Sequence, residues 1–194
     1  TTSSCDDGST AEAIALDPGE TVTCTFVSTR ASQLTVRNDL QPATDTPLFD
    51  FDLDGTTFQL GHESRTFVVT PGEAHAVTAA VPDGWERTAA TCDNGDAPAA
   101  VTLAAGEQVN CTFSHRKLGR IVIEKQTLPD GVAQAFVFAA GYAGDGFSLS
   151  DGQQNQSDLL SPGSYAVAET LPAGWAQSSA TCDDGSTPGA IALD

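Results

Sequence analysis

The residues of this chain recur with a period of about ninety. Cys5, Cys92 and Cys182 lie 87 and 90 positions apart, Cys24 and Cys111 lie 87 apart, and Trp85 and Trp175 lie 90 apart. Whole phrases keep the same order. TVTCTF (21–26) is answered by QVNCTF (108–113), LFDFDLDGTTFQL (48–60) by AFVFAAGYAGDGFSL (135–149), and PGEAHAVTAAVPDGW (71–85) by PGSYAVAETLPAGW (162–175). Such a period exceeds the ~20 to 50 residues of a solenoid unit and suits an independently folding domain. The predicted architecture is beads on a string.

Within a bead, polar and apolar residues alternate in short runs: QLTVRN, LFDFDLD, TFQL, RTFVVT, AHAVTAAV, WERTAATC, AAVTLA and EQVNCTFS. Turns rich in Gly, Pro, Asp and Asn separate them, and helix signals are nearly absent. Seven or eight short strands at this spacing predict an all-β two-sheet sandwich. The phrase SCDDGSTAEAIALD (4–17) returns as TCDDGSTPGAIALD (181–194), identical at eleven of fourteen positions. The repeat therefore divides the chain into 1–28, the tail of a preceding bead; 29–115, a complete bead; and 116–194, a second bead without its last strand. On this reading the chain is an out-of-phase window on a longer run of beads, and the next residues resemble PGETVTCTF. In the alternative, strand donation, TVTCTF of one chain completes the second bead of another and joins Cys24 to Cys182 between chains.

Cys5 and Cys24 are 19 residues apart, as are Cys92 and Cys111. The shared separation predicts a repeated local disulfide, worth roughly 3 kcal/mol for a loop of this size, in a protein that lives outside a reducing cytosol. Cys182 is left with its partner outside the chain or in a neighbouring one. Zinc is disfavoured, because two cysteines per bead and only His62, His75 and His115 form no CxxC or HxxxH spacing.

Two charges fall on inward faces. In GRIVIEKQT the two-residue period groups Ile121, Ile123 and Lys125, and in SYAVAET it groups Tyr165, Val167 and Glu169. A buried Lys and a buried Glu are costly unless they meet. The first bead has Asn38 and Ala79 at the matching places, so both charges are missing together, as expected of a pair.

GRIVIEKQTLPDG, FVF, GFSL, LLSPGSYAVAETLPAGW, TCDDGSTPGAIALD and PGETVTCTF resemble the prealbumin-like, immunoglobulin-like repeats of bacterial surface proteins. These are similar to the B-type repeats of collagen adhesins and the backbone domains of Gram-positive pilins. The resemblance implies an extracellular stalk or fibre. It also implies an intramolecular isopeptide bond in many members: a buried first-strand Lys attacks a last-strand Asn while an inward acid shuttles protons. By position Lys125 matches the Lys and Glu169 the acid. The family's Asn falls where this chain has Ser28 and His115, so the first bead should lack the bond and the second holds two of its three members. A plain Lys125–Glu169 ion pair is the competing expectation.

Other patterns are weaker. Asp50, Asp52 and Asp54 of DFDLDG resemble the start of a calcium loop, but position twelve is Gly61 rather than Glu. Asn155-Gln156-Ser157 matches a glycosylation acceptor in a loop-like stretch. Four of the eight basic residues, Arg30, Arg116, Lys117 and Arg120, gather at the two bead junctions, while 26 acidic residues bring the net charge to −18. That charge argues against nucleic acid, and no stretch is apolar enough for direct membrane insertion. No Ser/His/Asp triad or phosphate-cradling loop is present, so neither enzyme chemistry nor a cofactor is expected. The expected role is an extracellular, cell-surface structural repeat whose partners are adjacent repeats end to end. An adhesin-type module recognising a host or neighbour-cell ligand is the alternative.

Overall fold

The computed structural model describes residues 2–45 and 47–194. It begins with a hairpin of β1 (Thr2–Cys5) and β2 (Cys24–Val27), paired antiparallel with Cys5 opposite Cys24. The next strands are β3 (Ser32–Gln41), β4 (Phe49–Leu53), β5 (Thr56–Leu60), β6 (Ser64–Val69), β7 (Ala74–His75), β8 (Val77–Ala79), β9 (Trp85–Cys92), β10 (Val101–Thr102) and β11 (Gln108–Lys117). They form a four-stranded sheet in the order β6-β3-β11-β9, a three-stranded sheet β5-β4-β8 and the small pair β7-β10. In β3 the alternation is strict: Ser32, Leu34, Val36, Asn38 and Leu40 are buried and the residues between them are not. The two larger sheets meet face to face where the Phe51 ring of β4 lies edge-on to Phe113 of β11, centroids 5.3 Å apart.

The later strands are β12 (Val122–Glu124), β13 (Phe136–Ala140), β14 (Ala143–Leu149), β15 (Gln154–Gln156), β16 (Gly163–Tyr165), β17 (Val167–Thr170) and β18 (Ile191–Leu193). Their sheets are β12-β15, β14-β13-β17 and β16-β18. Ile121, Phe136, Phe138, Ala140, Leu149, Val167 and Ile191 form their common core, with Trp175 edge-on to Phe136 at 5.0 Å. The pairing of β13 with β14 shifts register between Phe138 and Ala140, where two steps along β13 are matched by four along β14, from Phe147 to Ala143. There Gly146 has φ +67°, and a Cβ on it would stand 2.4 Å from the Phe138 carbonyl oxygen. Only glycine fits so close to the neighbouring backbone.

The chain divides into two compact units. One takes the residues up to Asn38, Asp50–Ala79 and Ala90–Phe113; the other takes Asp39–Phe49, Ala80–Ala89 and Ser114–Asp194. The dividing line runs through β3, β4, β9 and β11 rather than between phrases of the sequence repeat.

Several expected strands come out differently. AHAVTAAV breaks into β7 and β8, which pair with different neighbours, β10 and β4. AAVTLA opens with a 3-10 turn, Pro98–Ala100, before β10. WERTAATC is β9 over its full length, yet the matching WAQSSATC (175–182) forms no strand. The reason lies in the pairing. β9 is held at a sheet edge by β11, and among the described residues no strand of the later sheets stands in the place of β11. Residues 175–182 therefore have no ladder to join.

Candidate functional site

Lys125 directly follows β12. Its backbone N–H donates to the Gln153 carbonyl at 3.0 Å and its own carbonyl accepts from Gly152 at 2.8 Å, which fixes the direction of the side chain. The ammonium lies 2.6 Å from Glu169 Oε1 and 4.0 Å from the centroid of the Phe136 ring. Glu169 sits on β17 opposite Phe138 of β13, and Gln177 Nε2 donates to its second oxygen at 3.4 Å. Side-chain exposure is 14% for Lys125 and 6% for Glu169. The pair is thus screened from water, and each charge depends on the other and on the aromatic face. An amine held on an aromatic wall and against a carboxylate can act as an ion pair or, once neutral, as a nucleophile whose proton the carboxylate accepts.

At the corresponding places of the first repeat phrase, Asn38 is fully buried and its side chain donates to the Leu60 carbonyl at 3.2 Å, while Ala79 ends β8. His115, where the family's Asn would fall, is buried against the Phe49 ring at 4.5 Å. Burial, with the nearby Arg87 charge, lowers its pKa to about 4.

The cysteines form two clasps. Cys5 is bonded to Cys24 and Cys92 to Cys111, each with Cα atoms 4.0 Å apart. The Cys182 thiol is free and half-buried. Beside each clasp is a feature that strand periodicity did not reveal. The aspartate after the first cysteine receives the backbone N–H of the residue before the second. Asp6 takes the N–H of Thr23 at 2.9 Å, and Asp93 takes that of Asn110 at 2.9 Å and its side-chain amide at 2.7 Å. The Asn110 bonds hold the Asp93 carboxyl below its usual pKa. The Cys-Asp dipeptide at 5, 92 and 182 was the available signal.

Asp151 is a third aspartate that binds backbone N–H groups. It accepts from the backbone N–H groups of Gly131 at 2.7 Å and Thr127 at 2.6 Å, which lowers its pKa and pins the TLPDG turn just beyond Lys125.

The calcium candidates do not converge. Asp50 accepts from the Gln59 side chain, Asp52 from the Gly55 N–H, and Asp54 from the Ala76 N–H and from His75 Nδ1 at 2.7 Å. These local bonds draw the three carboxylates to different partners. Among the described residues no three His, Cys, Asp or Glu side chains gather as a metal site.

Asn155 is not in a loop. It is half-buried in β15 opposite Ile123, and the Ser157 hydroxyl of the same motif is buried, accepting from the Ile121 N–H and donating to the Asp158 carbonyl. Both ends of that acceptor pattern are thus engaged in the fold.

Of the junction cations, Arg116 pairs with Glu86, Lys117 with Asp45 at 2.6 Å, and Arg120 donates to the Ser157 carbonyl at 3.1 Å. The Arg30 carbonyl accepts from Gly106 at 3.1 Å. Among the described residues no helix is long and apolar enough to cross a membrane.

No family model matches the chain, and no curated protein matches it. Solved structures similar to it include a streptococcal ancillary pilin, at 13% identity and a TM-score of 0.36, over 87% of this chain and 60% of that one. Another is the TIE protein of Bacillus anthracis, at 14% identity and a TM-score of 0.39, over 90% of this chain and 33% of that one. The chain thus spans less than two thirds of the length of either structure.

Proposed function

We propose that this chain is a load-bearing piece of an extracellular bacterial stalk or fibre, made of tandem β-sandwich beads with boundaries near residues 28 and 115. The observation that carries the reading is the placement of β3 and β11 as neighbours at the centre of one sheet. Ser32 Oγ donates to the Ala104 carbonyl, the Gln33 N–H donates to the Glu107 carbonyl, and the side chains of Gln108 and Gln33 bond at 3.2 Å. The two strands therefore start side by side and run the same way. A chain stretched along its length enters at Ser32 and leaves at Lys117. Tension then slides one ten-residue strand along the other and loads their bonds together rather than one at a time.

The Cys92–Cys111 bond adds to this by tying β11 to β9 on its other side. In the same reading Lys125 and Glu169 are two members of a crosslink site that a complete second bead would close with an amide side chain from its own last strand. The amine would displace ammonia from that amide, a loss of about 17 Da from the whole protein. Single-molecule stretching from residues 32 and 117 tests the load-bearing role. A high, sharp rupture force typical of sheared strands supports it, and unfolding at forces close to those of an unzipping hairpin refutes it.

A further inference from the structure

β6 is an edge of the four-stranded sheet, and it carries a cation that the rest of the fold does not use. It pairs with β3 from Ser64 to Val69, and among the described residues no backbone hydrogen bond reaches its other side. Such a row of unpaired N–H and C=O groups is a template for a further strand. Arg65 stands opposite the buried Val36. Its guanidinium carbon lies 5.7 Å from the centroid of the Phe58 ring and 5.2 Å from that of Phe67, two rings that are themselves 4.8 Å apart. The rings hold the planar fork in place. Although the chain has 26 acidic residues, the Arg65 guanidinium meets no carboxylate among the described residues, and its side chain is exposed.

The fold does not require this arrangement. In the later sheets β15 takes the place of β6, and Asn155 stands opposite Ile123 as Arg65 stands opposite Val36. Phe147 stacks on Phe138 as Phe58 stacks on Phe51, and Ser157 has the place of Phe67. The same strand pair is thus made without the cation and without its second ring. Toward the other end of β6, Val68 is 73% exposed beside a groove of 420 Å³ lined by Thr29, Ala31, Val68, Val69, Thr70 and Pro71. An unpaired edge, an apolar groove and a held cation therefore lie along one six-residue strand.

We infer that the outer edge of β6 receives an extended acidic segment of a partner protein, which adds as an antiparallel strand with one carboxylate on the Arg65 guanidinium. Main-chain bonds along the edge supply the hold, and the side chains supply the selection. A guanidinium held flat on aromatic rings presents parallel N–H groups that a carboxylate accepts together. In an antiparallel pair the residue opposite Val68 comes three positions before the residue opposite Arg65. The segment recognised therefore reads aliphatic, two residues, then Asp or Glu, and the two between meet Phe67 and Thr66. A charge on an edge strand discourages pairing with its own kind and admits a strand of the opposite sign. The inference goes beyond load bearing, since the sheared contact is β3 with β11 and β6 lies on the other side of β3.

The probe is a peptide capped at both ends, Thr-Val-Val-Thr-Glu-Thr, whose glutamate is its one charge and whose first valine meets Val68 when the glutamate meets Arg65. The control peptide has glutamine in place of glutamate. Each is titrated into the isotope-labelled 194-residue chain and followed by amide chemical shifts. The expected result is saturable binding, of about millimolar affinity or tighter, with shifts centred on Ser64–Val69. The glutamine peptide should bind about three- to tenfold more weakly, because a partly exposed charged pair is worth that much. Arg65→Gln should weaken the glutamate peptide by the same factor, and the two changes together should cost little more than either. Arg65→Lys, which keeps the charge and loses the planar fork, should fall between. No shifts at about 5 mM peptide, equal binding of the two peptides, shifts centred on another strand, or association of copies through β6 without peptide would each overturn the inference. The comparison of the two peptides uses the unaltered chain, so it decides the matter even where Arg65→Gln fails to fold. Rupture force is a separate readout, so a strong bead that ignores the peptide sinks this inference alone, and a weak bead that binds it sinks the fibre reading alone.

Discussion

Reducing the Cys92–Cys111 bond should lengthen the stretched, unfolded bead by a calculable amount. The bond spans 19 residues of sequence with its Cα atoms 4.0 Å apart. Fully extended, those residues cover about 65 Å at ~3.4 Å each, so the clasp hides about 60 Å of contour. In an optical trap or force microscope with handles at residues 32 and 117, each unfolding step should grow by that amount when reductant is added. The force at rupture should change little, because the clasp ties β11 to β9 while the sheared contact is between β11 and β3. Chemical stability without force should fall by roughly 3 kcal/mol through the greater freedom of the unfolded loop. Equal step lengths with and without reductant would refute the reasoning, since they would mean that tension does not pass through both cysteines. A rupture force that collapses on reduction would place the mechanical barrier at β9 instead.

The buried ion pair gives a second expectation: Glu169→Gln or Lys125→Met alone should cost about 3 to 5 kcal/mol in urea unfolding. The double change Lys125→Met with Glu169→Leu should recover most of that loss, and additive losses would argue against coupling. Gly146→Ala should destabilise by about 2 to 4 kcal/mol, because its Cβ meets the Phe138 carbonyl at 2.4 Å and the backbone is at positive φ; a neutral effect would show that the backbone there gives way. Stability against pH should fall on both sides of neutrality. On the acid side His115 is kept neutral in the fold, so below the ordinary histidine value of 6.5 the unfolded chain gains a proton first, and about 3 kcal/mol is lost by the time pH reaches about 4. His115→Phe should flatten that limb in urea titrations. On the alkaline side His75 has an acceptor at each ring nitrogen, the Asp54 carboxylate and the Thr70 carbonyl. Burial opposes its charge, but these acceptors and Glu73 outweigh burial and raise its pKa above 6.5. Its contribution is therefore complete below 6.5 and lost as pH rises through the raised value, and His75→Gln should remove that dependence.

Much of the fold was legible because a strand with one buried face writes its period into the sequence. In β3 and β11 the inward residues alternate without a break, and β9 coincides with WERTAATC. The same alternation puts Lys125 and Glu169 on inward faces, and the two atoms that matter are 2.6 Å apart. Periodicity is silent where a side chain bonds the backbone. The Asp93 clasp and the Asp151 turn rest on single carboxylates aimed at N–H groups, an arrangement with no repeat length. It is silent about Asn155 for a related reason: DGQQNQS is as polar as a loop, yet Gln154–Gln156 pair with β12 and, between the exposed Gln154 and Gln156, Asn155 is half-buried.

The two matching phrases WERTAATC and WAQSSATC show where pattern stops. Both begin with the tryptophan that lies edge-on to a core phenylalanine, Trp85 on Phe49 and Trp175 on Phe136. Both end at the cysteine of the repeat, and only the first is a strand. An edge strand has no independent existence, because its backbone is satisfied by one neighbour. β9 has β11, clasped by a disulfide and neighboured by β3, whereas residues 175–182 have no ladder and Cys182 keeps its thiol. Local sequence therefore sets which residues are able to be a strand, and the neighbour decides whether they become one. The same dependence makes β12 short: three residues with one partner, against ten in β3 with two.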